Sequence, residues 1–300
     1  MQVVETSREL RARADACRAA GLRVALVPTM GALHAGHLAL VAEAKRRAAQ
    51  VLVSIFVNPT QFDARADLEA YPRPLERDLV ACREAGVDAV FVPCEADLYP
   101  EGAQTFVEVR ELSAPLCGAS RPGHFRGVAT VVTRLLITAR PHVAVFGRKD
   151  YQQLLVVRRL VRDLGLDVEV VGVPTVREPD GLALSSRNVH LGPEARRQAG
   201  AIFRALEGAE AAVRAGERSA EAILSRARSE LAKAPLARLD YAELRCPETL
   251  APAPARLRGP TLLALAVFFP RADGEAVRLI DHRVLDARPP FADAHGPARE

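Results

Sequence analysis

Apolar and polar positions along the chain fall into short apolar runs separated by amphipathic stretches. Val24-Ala25-Leu26-Val27, Val51 to Val57, Ala89 to Val92, His142 to Phe146 and Val168 to Val173 are compact runs bounded by turn residues. That is the pattern of strands buried on both faces. Phe106 to Val109 reads as a further short strand at an edge. Between the runs, Thr6 to Ala20, Leu38 to Gln50, Leu75 to Ala85, Gly127 to Thr138 and Tyr151 to Leu164 predict helices. The first carries Leu10, Ala14 and Cys17 on one face, and the second carries Leu38, Val41 and Ala42. Gly21, Gly86 and Gly165 stand where three of these helices would close.

Strands alternating with helices predict an α/β fold, a Rossmann-like parallel sheet with helices on both faces. After Arg187-Asn188 the texture changes. Pro193 to Ala215, closed by Gly216, and Ser219 to Ala232 predict Ala-, Arg- and Glu-rich helices. Leu239 to Leu244, Leu262 to Phe269 and Ala276 to Ile280 predict strands, reached through a Pro- and Ala-rich stretch from Pro247 to Pro260. The expected organisation is therefore a first domain at 1–187, a smaller C-terminal α+β domain at 188–288 and a flexible tail at 289–300.

Composition narrows the class. The 300 residues are 49% hydrophobic and 26% charged, as in soluble globular proteins. No apolar run is long enough to span a membrane. Met1 to Arg13 is polar and charged, without a signal-peptide core, so the expected compartment is the cytoplasm. Cys17, Cys82, Cys94, Cys117 and Cys246 are scattered, with no C-x-x-C pair, which indicates neither a disulfide framework nor a zinc site. A net charge of +4 and a pI near 9.0 fit either nucleic acid or an acidic small substrate. The positive residues form no dense run, and 5% aromatics without tryptophan leave little for base stacking. Anionic small ligands are favoured, with no nucleic acid and no membrane as partner.

Polar, non-repeating residues gather where strands give way to helices, and parallel sheets carry their sites at those ends. In Thr29 to His37, His34 and His37 stand at i and i+3 on a helix start. Free backbone N–H groups and the positive end of the dipole make such a start a phosphate site. Gly31 and Gly36 allow backbone close to a ligand. A capped helix with two surface histidines shares the pattern. Asn58 and Gln61 follow the second strand, and two amides there suit an alcohol or a carboxylate; an Asn-Pro turn has the same look. Gly147-Arg148-Lys149-Asp150 follows the fifth run. Lys149 offers a compact cation and Asp150 a helix N-cap, and Gln153 lies one turn on. Leu184-Ser185-Ser186-Arg187 offers hydroxyls and a guanidinium, as would a Ser-rich linker. Asp78 opens a helix, where a carboxylate holds Mg²⁺ through water or is a helix-end charge. His124 reads as a loop residue at a site rim. His142, His190, His282 and His295 have no ligand-like neighbours, and no third ligand joins the histidine pair.

These motifs resemble a family. His34-Ala35-Gly36-His37 is similar to the "HIGH" turn of adenylyl-transferring enzymes, and Leu184 to Arg187 to their second phosphate motif. Pro28 to His34, Phe56 to Phe62, Tyr71-Pro72-Arg73, Gly123 to Val128 and Lys149 to Gln153 together, in this order, resemble pantothenate synthetases. The resemblance covers roughly residues 1 to 190, with a less specific C-terminal part. It implies that ATP and (R)-pantoate give pantoyl adenylate and pyrophosphate, and that β-alanine then displaces AMP to give pantothenate. It implies an ATP site from Met30, Gly31, Ala32, Leu33, His34, Ala35, Gly36 and His37, from Gly147, Arg148, Lys149 and Asp150, and from Val176, Leu184, Ser185, Ser186 and Arg187. His37 would be a proton donor, with His34, Lys149 and Arg187 sharing the catalytic work. Thr29, Asn58, Gln61 and Gln153 would face pantoate, and Gln61 also β-alanine. Mg²⁺ would associate with Asp78, the C-terminal domain would act as a lid hinged at Asn188 to Gly192, and the chain would be a homodimer. Many relatives are acidic where this chain has Arg148, which is expected to reach solvent or phosphate. A different adenylyltransferase with the same phosphate motifs is the nearest alternative, and a nucleic-acid-binding protein the more distant one.

Overall fold

The computed structural model describes residues 1–62 and 65–286. In chain order the first part contains β1 (Gln2–Val4), α1 (Ser7–Ala19), β2 (Val24–Thr29), α2 (Ala35–Arg47), β3 (Gln50–Ile55), α3 (Arg65–Ala70), α4 (Leu75–Glu84) and β4 (Ala89–Phe91). The short helices α5 (Glu95–Leu98), α6 (Arg110–Ser113) and α7 (Cys117–Ser120) precede α8 (His124–Ala139), β5 (Val143–Gly147), α9 (Tyr151–Asp163) and β6 (Glu169–Val173). The strands form one parallel sheet in the order β1-β4-β3-β2-β5-β6. Chain order therefore runs one way from β2 through β3, and the other way from β5, so the switch point lies between β2 and β5.

Alternation along the strands explains why both faces are apolar. Ala25, Val27, Val51, Val53, Val143 and Val145 share a core with Leu40, Val41 and Ala44 of α2 and Cys82 of α4. Leu26, Leu52 and Ala144, one residue out of phase, are equally buried on the opposite face. There α1 and α8 pack against β2 and against each other. Thr6 caps α1 through a box with Glu9, and Gly21, just past its end, has the left-handed backbone that suits glycine.

The C-terminal part contains α10 (Pro193–Ala199), α11 (Ala201–Arg214), α12 (Ala220–Leu231) and the antiparallel sheet of β7 (Arg238–Arg245), β8 (Thr261–Pro270) and β9 (Ala276–Leu285). Ile202, Leu206, Ile223, Leu263, Leu265, Val267 and Phe269 form its core. The chain divides into two compact units, the first at Met1–Glu178 and Ala183–Val189, the second at Pro179–Leu182 and from His190 onward. The division is not the single cut expected after residue 187. Asp180 pairs with Arg196 of α10, and Gly181 lies against the Phe203 ring of α11, which places the Pro179–Leu182 turn in the second unit. The expected tail at 289–300 lies outside the described residues.

Other expectations need correction. Phe106 to Val109 is not a strand: the Val107 N–H donates to the Thr130 hydroxyl of α8 at 3.0 Å, a side-chain partner in place of a ladder. Pro193 to Ala215 is two helices, broken at Gly200. Helix α2 starts three residues earlier than expected and ends before Gln50, and Leu38 faces outward while Leu40, Val41 and Ala44 are buried. Strand β1, with only three residues, carries too short a pattern to be read from sequence.

Candidate active site

Thr29 to His37, Asn58 to Gln61 and Gly147 to Asp150 follow the carboxyl ends of β2, β3 and β5, the neighbouring strands around the switch point. In the first loop Gly31 and Ala32 both take left-handed backbone, with φ of 81° and 51°. A Cβ on Gly31 would sit 3.0 Å from an Asp78 oxygen and 3.1 Å from Ile55, so both backbone and space call for glycine there. His34 is the N-cap of α2 and His37 its third residue. Gly36 N–H donates to His34 Nδ1 at 3.1 Å, and His34 N–H donates to His37 Nδ1 at 3.3 Å. A Cβ on Gly36 would come within 2.9 Å of that same Nδ1, which is why the ring can fold over this residue. The two rings lie 4.1 Å apart.

This arrangement fixes the hydrogens. A ring nitrogen that accepts an N–H bond carries no proton, so each neutral imidazole bears its proton on Nε2. The electrostatics agree. Burial, then His34 beside it, pushes the His37 pKa down to about 3, with Lys149 adding to the effect and Asp150 opposing it. His34 is lowered by burial and then by Lys149, again against Asp150. Both rings are neutral at pH 7 in the unliganded protein, so the proton available to the donor role expected of His37 is the one on Nε2.

The expectation of free N–H groups on this turn also changes. Gly31 N–H donates to Thr29 Oγ1 at 3.2 Å, and Ala32 and Leu33 N–H each donate to Asp78 at 2.8 Å. His37 and Leu38 N–H reach the His34 carbonyl. These amides are therefore already paired within the protein. Asp78 is 1% exposed and both its oxygens are on this turn. It is thus a brace for the loop and a poor fit for the Mg²⁺ role expected of it. Among the described residues no three His, Cys, Asp or Glu side chains cluster as a metal site.

Lys149 and Asp150 form an ion pair at 3.6 Å. Asp150 occupies the N-cap position of α9 without capping it through its side chain. Arg148 is exposed, as expected of a side chain reaching solvent, and its Nε donates to the Gly172 carbonyl of β6 at 3.0 Å. Leu184 N–H donates to the Val176 carbonyl at 3.0 Å, and Arg177 and Ala183 form a bridge, so the second phosphate motif is the end of a hairpin. Ser185 Oγ accepts from Arg187 N–H at 3.3 Å, and Ser186 Oγ lies 3.3 Å from the Tyr71 hydroxyl.

Asn58 and Thr29 change roles as well. Asn58 is 1% exposed. Its Nδ2 donates to Gln61 Oε1 at 3.1 Å and to the Gly127 carbonyl at 3.2 Å, while its Oδ1 accepts from Tyr99 at 2.9 Å and Thr60 at 3.0 Å. Its bonding capacity is filled within the protein. What it does is orient Gln61, whose Nε2 is then free to donate, here toward Met30 Sδ at 2.9 Å. The Thr29 hydroxyl donates to the Ser54 carbonyl at 2.7 Å, which makes it a loop brace too. His124 starts α8 and its Nδ1 sits 2.7 Å from the Gln61 carbonyl, where burial, then Arg121, pushes its pKa down to about 4. Gln152 is buried and tied to Cys117, Leu112 and Pro115, whereas Gln153 is only partly covered. Tyr99 had no signal in the sequence beyond being one of four tyrosines.

Comparison with known proteins decides the family. The family model described as pantoate-beta-alanine ligase matches residues 2–284. The chain belongs to the pantoate–β-alanine ligase family. It is 51% identical over 285 residues to a pantothenate synthetase of Syntrophobacter fumaroxidans, covering 95% of this chain and 99% of the relative. Among solved structures, pantothenate synthetase from Thermus thermophilus is 49% identical with a TM-score of 0.88, covering 95% of this chain and 100% of that one. The pantoate-beta-alanine ligase of Francisella tularensis, complexed with beta-gamma ATP and beta-alanine, is 32% identical with a TM-score of 0.77, covering 95% and 97%. No helix among the described residues of this ligase-family chain is long and apolar enough to cross a membrane.

Proposed function

We propose that the carboxyl ends of β2, β3 and β5 hold ATP beside (R)-pantoate, and that ligation to β-alanine runs at this place. The family reaction has two steps. A pantoate carboxylate oxygen attacks the α-phosphorus of ATP, the bond from that phosphorus to the bridging oxygen breaks, and its electron pair leaves with pyrophosphate. The β-alanine amine then attacks the acyl carbon, AMP departs with the C–O electron pair, and the amine gives up a proton as the amide forms.

The observation that carries the site reading is the paired cap of His34 and His37. Two neutral rings present Nε2–H donors side by side, with Lys149 close enough to perturb both. Donors fixed before reaction stabilise charge that builds on a leaving pyrophosphate without reorganising. Lys149 and Arg187 offset the repulsion between carboxylate and triphosphate, and Met30 to Ala35, Gly147, Val176, Leu184, Ser185 and Ser186 complete the ATP walls. Gln61, oriented by Asn58, and Gln153 meet pantoate, and Gln61 then meets β-alanine. Family membership supports a homodimer, and scattered cysteines without a C-x-x-C pair fit the reducing cytoplasm. A sedimentation mass of a single 32.4 kDa chain would reject the dimer.

The test is pantoate-dependent exchange of labelled pyrophosphate into ATP, with AMP release on adding β-alanine. His37→Ala and Lys149→Ala are each expected to lower the exchange rate about a hundredfold or more with the fold kept. Near-normal exchange in either variant refutes that residue's role, and exchange with another acid but not pantoate refutes the substrate.

A further inference from the structure

Asp78 lies on α4, yet both of its carboxylate oxygens accept backbone N–H groups from the loop after β2, Ala32 at 2.8 Å and Leu33 at 2.8 Å. It is 1% exposed. The first of its two partners is unusual in a second, independent respect. Ala32 has φ of 51°, one of few non-glycine residues in the left-handed region among those described. An L-residue is strained there, and something must offset the strain. The two bonds from one buried carboxylate act at that point, immediately before His34.

We propose that Asp78 is a positioning residue: by clamping the Ala32 and Leu33 N–H groups it holds the left-handed Gly31–Ala32 turn and thereby aims the His34 and His37 rings. The proposal rests on the site reading given above. With both oxygens taken by backbone N–H groups and the side chain buried, Asp78 acts through the loop. A carboxylate is the group the geometry demands, because it accepts at both oxygens. An asparagine accepts at one and sets an N–H₂ against the other N–H. The loop that the clamp releases is the one whose next residue caps α2, so a change at Ala32 swings the first imidazole directly. The second follows, because His37 Nδ1 is held by the His34 N–H at 3.3 Å.

The experiment is a cycle on the full chain with Asp78→Asn, Ala32→Gly and the double variant, read by pyrophosphate exchange at saturating ATP and pantoate and normalised to folded protein by circular dichroism. Asp78→Asn is expected to lower kcat at least tenfold with smaller change in the KM for pantoate. Glycine enters the left-handed region freely, so adding Ala32→Gly to Asp78→Asn is expected to recover about tenfold relative to its effect in the wild-type background. A brace that merely keeps α4 folded would lower the melting temperature, leave kcat per folded molecule within twofold, and gain nothing from the glycine. Either of those last two results overturns the proposal. Should Asp78→Asn fail to fold, Ala32→Val keeps the carboxylate and burdens the same backbone angle. It is expected to lower kcat at least tenfold in a folded protein, and full activity there overturns the proposal. Wild-type enzyme without any pantoate-dependent exchange would instead reject the site reading, and that control is run first.

Discussion

The acid side of the stability curve follows chiefly from buried histidine rings. In an unfolded chain a histidine titrates near about 6.5. In the fold His37 titrates at about 3 and His124 at about 4, both chiefly through burial, and His34 is lowered too. Between those values the unfolded chain binds protons that the native chain does not. Stability is therefore complete above about pH 6.5 and is lost as pH falls toward the folded values, with a slope approaching about 1.4 kcal/mol per pH unit for each such ring. Thermal melts are expected to show a lower Tm at pH 5 than at pH 7.5. His37→Gln, which cannot take up a proton in either state, is expected to flatten the slope. An unchanged slope in that variant would mean that His37 titrates in the folded protein as it does in the unfolded chain. In the free enzyme the same neutral ring means that an acid limb of kcat/KM near pH 6 is not the titration of His37.

At the scale of elements, the Pro59–Gln61 turn, α8 and the segment carrying Tyr99 act together on one amide. Tyr99 and Thr60 saturate Asn58 Oδ1, which turns Asn58 Nδ2 toward Gln61 and so decides which end of the Gln61 amide donates. Tyr99→Phe removes one neutral hydrogen bond, about 1 kcal/mol. The expected outcome is a KM for pantoate raised roughly fivefold, with the KM for ATP unchanged, in initial-rate measurements. A rise in the ATP KM alone would place Tyr99 elsewhere in the mechanism. This network also shows what a sequence can and cannot disclose. His34 and His37 were legible because their partners lie within one helical turn. Strands β2, β3 and β5 were legible because burial on both faces leaves continuous apolar runs. Tyr99 lies 41 residues from Asn58, His124 lies 63 from Gln61, and Asp78 lies 45 from Leu33. No local period records a contact at such separations. For the same reason Asn58 reads from sequence as a ligand group, and Asp78 as a ligand or a helix-end charge, since a polar side chain gives no sign in the sequence that its bonds are filled from behind.

At the scale of the molecule, the boundary between units is set by a turn that composition could not place. The change of texture near residue 187 marks where the second unit's helices begin, but Pro179–Leu182 already belongs to that unit. The reason is packing. Gly181 has φ of 86°, and a Cβ there would lie 2.0 Å from the Phe203 ring. Asp180, its pKa lowered first by the hydrogen bond from Arg196, ties the same turn to α10. Gly181→Ala meets both a strained backbone and an occupied space, so a loss of about 1–3 kcal/mol is expected. If the turn is part of the second unit's fold, that loss falls on the second unit. Hydrogen exchange followed by mass spectrometry is expected to show faster exchange in α11 and β7 to β9, with β2, β3 and β5 keeping their protection. Equal loss across both sheets would mean that the two units unfold as one, and protection lost only around β2 and β3 would mean that the turn belongs with the first.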